Sequence, residues 1–161
     1  MKKIIASTSI LILLSFIISC GGLGSYYEQF TKDKAFTSRI SDLNKTIDEI
    51  RAIEKGKLIR DDINLLKYVY EIGNNDTYQI TYQFDEKGCW EVGIDCYFEN
   101  EEDAKSLVLG IKSEITTTVY GSPTEDNNLY RWENANEPAS IEIDYKDTSR
   151  GIVVLTIMAV K

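Results

Sequence analysis

Thr77-Tyr78-Gln79-Ile80-Thr81-Tyr82-Gln83-Phe84, then Asp85-Glu86-Lys87-Gly88, then Cys89-Trp90-Glu91-Val92-Gly93-Ile94-Asp95-Cys96-Tyr97-Phe98: this stretch decides the fold. In the first run Tyr78, Ile80, Tyr82 and Phe84 alternate with Thr77, Gln79, Thr81 and Gln83. A period of two is that of a strand with one buried face. In the second run Trp90, Val92, Ile94, Cys96 and Phe98 alternate with Cys89, Glu91, Gly93, Asp95 and Tyr97. The four residues between the runs are turn formers. Two adjoining half-apolar strands read as part of an antiparallel sheet, one face on the core and the other in water.

Outward from this pair, residues 65–72 read as a preceding strand, separated from it by Gly73-Asn74-Asn75-Asp76. Asp61 and Asp62 are expected to start a short turn of helix. Before them, Phe36, Ile40, Leu43, Ile47 and Ile50 recur at spacings of 4, 3, 4 and 3, which predicts one helix over residues 33–54 with Gly56 just past its end. After the hairpin, Asn100 caps a second helix with Glu101, Glu102 and Asp103 in its positive first turn. That helix carries Ala104, Leu107, Val108, Ile111, Ile115 and Val119 and stops at Tyr120-Gly121-Ser122-Pro123. Three further strands are expected over 129–133, 139–146 and 152–160, the last apolar on both faces and hence central. The predicted class is α+β: an N-terminal helix, then an antiparallel sheet of about six strands in the order β-β-β-α-β-β-β, with helices on one face.

The first residues are an address rather than part of the fold. Lys2 and Lys3 precede an uncharged, mostly apolar stretch, residues 4–19, that stops at Cys20. Its 16 residues fall short of the roughly 18 to 20 that span a bilayer. Ile17-Ile18-Ser19-Cys20 resembles the lipobox of a bacterial lipoprotein with a type II signal peptide. The resemblance implies diacylglycerol on the Cys20 thiol, cleavage before Cys20 and acylation of the new amine, with palmitate among the chains. Two or more acyl chains anchor stably where one is marginal. Gly21, where an aspartate would retain a lipoprotein at the inner membrane, implies the periplasmic face of the outer membrane or the cell surface. The helix end, Tyr-Gly-x-Pro turn and Trp-bearing strand over residues 120–132 are similar to small bacterial envelope lipoproteins and imply no activity. The organisation expected is a signal peptide over 1–19, the lipidated cysteine and a flexible tether over 20–32, and a single domain over 33–161.

The leader takes two of the 18 cations with it, so the mature chain sets 16 against 26 acids, a formal charge of −10. Nucleic acid is an unfavourable partner for such a chain, because phosphate binding needs clustered Lys and Arg. With no histidine, Ser-His-Asp and Cys-His catalysis are excluded and the commonest transition-metal ligand is missing. No phosphate loop or dinucleotide fingerprint occurs. The acidic turns Asn74-Asn75-Asp76, Glu101-Glu102-Asp103 and Glu125-Asp126-Asn127-Asn128 lack EF-hand spacing and read as turns and caps, so no metal and no cofactor is expected. Cys89 and Cys96 should be unpaired. Seven residues of strand separate them by roughly 23 Å, a disulfide needs Cα atoms within about 7 Å, and the odd spacing turns them to opposite faces.

Ten tyrosines and two tryptophans raise the question of an aromatic platform. Alternation sends Tyr78, Tyr82, Tyr145 and Trp90 inward and leaves Tyr97, Tyr26 and Tyr27 exposed. The wet sheet face, with Gln79, Gln83, Glu91, Asp95 and Tyr97 at its centre, is the expected binding surface, and the stripe from Phe36 to Ile50 is second choice if uncovered. The expectation is a non-catalytic, membrane-anchored envelope lipoprotein that binds or scaffolds another envelope protein. The alternatives are an inhibitor or immunity protein against an envelope enzyme, and a glycan hydrolase working without histidine through two carboxylates.

Overall fold

The computed structural model describes residues 26–73 and 75–160. Their order is helix α1 (Tyr26–Thr31), a 3-10 turn (Thr37–Asp42), helix α2 (Ile47–Ile53), and strands β1 (Lys57–Asp62), β2 (Leu65–Gly73), β3 (Asp76–Asp85) and β4 (Gly88–Tyr97). Helix α3 (Glu101–Thr116) follows, then β5 (Thr124–Asp126), β6 (Leu129–Trp132), β7 (Ala139–Asp144), a 3-10 turn (Thr148–Arg150) and β8 (Ile152–Ala159). The fold is α+β, with one open antiparallel sheet in the order β1-β2-β3-β4-β8-β7-β6-β5. Two four-stranded meanders meet at the β4–β8 seam, and α3 carries the chain from one to the other. The leader, Cys20 and the glycine-rich segment through Ser25 lie outside the described residues. Among the described residues no helix is long and apolar enough to cross a membrane.

The six expected strands are all present, and β8 is central as its two apolar faces imply. Two strands were not anticipated. β1 replaces the expected helical turn at Asp61-Asp62; it is an edge strand whose residues are nearly all exposed, so no apolar alternation betrays it. β5 pairs with β6 because Asn127 and Asn128 both take positive φ, 48° and 62°, and close a two-residue hairpin.

The expected single helix over 33–54 is broken. Asn44 turns left-handed at φ 64°, and the chain restarts as α2 behind a capping box in which Thr46 and Glu49 satisfy each other's backbone amides. The break is tertiary in origin: the Asn44 amide donates to the Cys89 carbonyl at 2.7 Å, and the Cys89 amide donates to the Lys45 carbonyl at 2.8 Å. Backbone bonds that would have continued a helix go to β4 instead. The stripe still faces inward, with Phe36, Leu43 and Ile50 buried.

Residues 26–31, expected within the tether, form α1, whose Phe30 enters the core. Tyr27 lies against α3 where Gly110 leaves room: a Cβ on Gly110 would come within 2.5 Å of the Tyr27 ring. The Tyr27 hydroxyl donates to Glu114 at 2.8 Å. Tyr26 and Tyr27 are therefore half-buried against the core, not exposed. Helix α3 has the expected Asn100 cap, but it ends at Thr116, so Val119 lies beyond it and is exposed.

The alternation of the second decisive run fails at its start. Phe84 pairs with Cys89 while Gln83 pairs with Glu91, so Trp90 is an extra residue in a bulge. Cys89 turns inward and Trp90 is half-buried on the outside, the reverse of the expected assignment. Cys89 and Cys96 consequently share the buried face. Both are free, as expected, but not because they face apart.

Candidate functional site

The outer face of the sheet is built by alternation, interrupted on β4 by the bulge at Trp90. On β3 and β4 the residues opposite the core are Thr77, Gln79, Thr81 and Gln83, and Glu91, Gly93, Asp95 and Tyr97. Register brings the five expected binding residues together: Gln79 stands opposite Asp95, Gln83 opposite Glu91, and Thr77 opposite Tyr97. Side chains so paired lie about 4.5–5.5 Å apart at Cβ. The Gln83 amide donates to Glu91 Oε1 at 2.5 Å. Asp95 has Lys67 Nζ at 3.7 Å, reaching across β3 from β2. Tyr97 is exposed, and its pKa is raised, first by partial burial and then by the negative charge of Asp95.

The pattern of the sequence also puts Glu142 and Asp144 on this wet face, but not the outward residues of β8 that lie between them and β4. Apolar residues on both sides of β8 imply burial of both, yet Ile152, Val154, Thr156 and Met158 are half-exposed there. Register sets Met158 beside Glu91, Val154 beside Asp95 and Ile152 beside Tyr97. On the far side, β7 sets Glu142 beside Thr156 and Asp144 beside Val154. The result is an apolar strip down the centre of the sheet with a carboxylate ladder along each side. At its middle Gly93 leaves a notch, where a Cβ would meet nothing nearer than 3.8 Å. Arg131 Nε holds Glu142 at 2.7 Å and Lys146 Nζ holds Asp144 at 3.0 Å, so the acids are oriented and partly neutralised from outside. The helices bury their apolar residues in the single core cluster on the opposite side, and among the described residues nothing covers this face. The second-choice surface, the stripe from Phe36 to Ile50, is taken up by that core: Phe36 and Ile50 are fully buried.

A second polar cluster lies behind the sheet. Arg39 Nη1 donates to Glu54 Oε2 at 3.1 Å and to the Tyr82 hydroxyl at 2.9 Å, and Tyr70 and Tyr82 both donate to Glu54. Asp42, fully buried, accepts from Lys34 at 2.6 and 2.7 Å and from Lys45 at 3.1 Å. Burial pushes the Glu54 carboxyl up, but the Arg39 charge and the tyrosine hydrogen bonds outweigh it and hold the pKa below the ordinary value. Burial and the bond to Glu54 push the Tyr70 phenol up to about 12. The acids here are saturated by internal donors, which suits the cluster to fastening α2 and the 3-10 turn to the sheet rather than to proton transfer.

No known family model, curated protein or solved structure matches this chain.

Proposed function

We propose that the chain is a non-catalytic lipoprotein of the bacterial cell envelope, anchored through Cys20, whose outer sheet face binds another envelope protein. The observation that carries this reading is the central strip of Ile152, Val154 and Met158, half-exposed between Glu91 and Asp95 on one side and Glu142 and Asp144 on the other. An apolar centre rimmed by polar groups is the anatomy of a protein interface. A partner complementary to it carries an apolar ridge edged by Lys or Arg. A lipid anchor confines both molecules to one membrane surface, which raises their effective concentration and lets a modest interface suffice.

The test is in vivo cross-linking of the chain carrying Glu91→Lys and Asp95→Lys. Capture of the partner should be lost while the thermal midpoint barely moves, because substitutions at partly exposed polar sites shift stability by only about 0.5 kcal/mol. Capture that survives both reversals in a folded protein refutes the assignment of this face.

A further inference from the structure

On the helical side of the sheet, a cleft of about 370 Å³ opens between α3 and the segment leading from β7 into the Thr148–Arg150 turn. It is smaller than a drug-sized site's upper range and within the roughly 300–1,000 Å³ of small-molecule pockets. One wall is aromatic. Tyr130 and Tyr145 stack with centroids 4.7 Å apart and planes 24° from parallel. Lys112 Nζ lies over the Tyr130 ring, 3.8 Å from its centroid. Two occupants so close to one centroid need the two faces of the ring, so Tyr130 is sandwiched and Tyr145 ends the stack. The Tyr145 hydroxyl donates to Glu125 on β5, which fixes the terminal ring before any ligand arrives. Both rings sit at the margin of the core rather than within it.

The facing wall is aliphatic and belongs to α3. Leu109 is 65 % exposed, one of the most exposed large apolar side chains among the described residues. Two lysines line the cleft, Lys105 from α3 and Lys146 two residues past β7. Each has a surface partner, Glu101 at 2.6 Å and Asp144 at 3.0 Å, with the lysines about 60 % exposed. Exposed pairs of this kind contribute only about 0–1 kcal/mol, so either amine exchanges its carboxylate for another at little cost. Thr148 and Ser149 complete the lining. In a chain this acidic, two lysines from separate elements lining one cleft beside a stacked tyrosine pair are a selective arrangement.

We propose that this cleft binds a small anionic ligand consisting of a flat ring with an apolar face and a carboxylate. The ring lies against Tyr145 opposite Leu109, and the carboxylate is met by Lys105 and Lys146. Aromatic acids and acidic sugars share this chemistry. The aromatic and aliphatic walls of the cleft lie on the other side of the sheet from the outer face, and the two share only Lys146, which also holds Asp144.

The experiment is calorimetric titration of the intact anchored chain in phosphatidylcholine nanodiscs, with empty nanodiscs subtracted. The probes are 2-naphthoate, its neutral isostere 2-naphthamide, digalacturonate and neutral galactobiose. At least one acid should bind saturably at one site per chain, with its neutral counterpart about tenfold weaker, the size of one lost charge-assisted hydrogen bond. Preference for naphthoate identifies an aromatic acid, and preference for digalacturonate an acidic sugar. Lys105→Gln with Lys146→Gln should weaken the acid about tenfold with thermal unfolding unchanged, since both side chains are exposed, and Tyr145→Ala should remove binding of the ring. The proposal is overturned if neither acid binds at millimolar concentration, if the neutral probes bind as tightly, or if binding survives the double lysine variant.

Discussion

Removing the Glu54 carboxylate is the sharpest probe of the cluster behind the sheet. Its side chain is 7 % exposed, its Arg39 partner 4 %, and the Arg39 Nε already lacks a hydrogen-bond acceptor. Glu54→Leu leaves a buried guanidinium with the Tyr82 hydroxyl but without its paired carboxylate, and breaking a buried pair from one side costs about 3–5 kcal/mol. For a domain of this size roughly 3–4 °C of thermal midpoint goes with each kcal/mol, so a fall of about 10–20 °C is expected at pH 7. Arg39→Met should cost a similar amount by leaving the carboxylate unneutralised. The double variant should lose much less than the two singles together, because neither charge remains stranded. Acidity supplies an independent check. The folded pKa of Glu54 is depressed, so the stability it contributes is complete above the unfolded value near 4.3 and is lost as pH falls through the folded one. The wild type should therefore weaken steeply below about pH 4.3, and Glu54→Leu should show a shallower slope there. Thermal and urea unfolding followed by circular dichroism measure both effects. Single variants that lose under about 1 kcal/mol, or a double variant that is simply additive, would refute the view that this pair is a coupled buried charge.

The other predictions are briefer. Both thiols should resist alkylation in the native protein and react fully in urea, because burial pushes the Cys89 pKa up to about 12 and raises that of Cys96 as well; a Cys89-Cys96 disulfide peptide in unreduced digests would contradict the placement of both on one strand. Gly151→Ala should destabilise by about 3 kcal/mol or prevent folding, judged by urea midpoint, because residue 151 has φ 70° and an added Cβ would sit 2.0 Å from the Phe98 carbonyl oxygen. Cys20→Ala should leave the precursor uncleaved and unlabelled by radioactive palmitate; normal labelling would remove the proposed anchor.

Alternation made β3, β7 and most of β4 legible, because a strand with one wet face must repeat every second residue, and Tyr78, Ile80 and Tyr82 are buried as that rule demands. The five residues proposed from it do form one patch, since the hairpin register follows from the same pattern. Local signals also placed α3, with Asn100 capping it, and the central position of β8. What they did not carry was whatever depends on a partner distant in the chain. The break at Asn44 exists because Cys89 takes the backbone bonds on either side of it. The bulge at Trp90 exchanges the faces of two residues without altering their spacing in the sequence. β1 has no periodic pattern because an exposed edge strand owes its form to the backbone of β2 alone. The apolar strip of β8 and the Tyr145 cleft are likewise decided by what fails to cover them. Periodicity reports how a segment meets its own neighbours; coverage is a property of the assembled layers, and only the tertiary structure decides it.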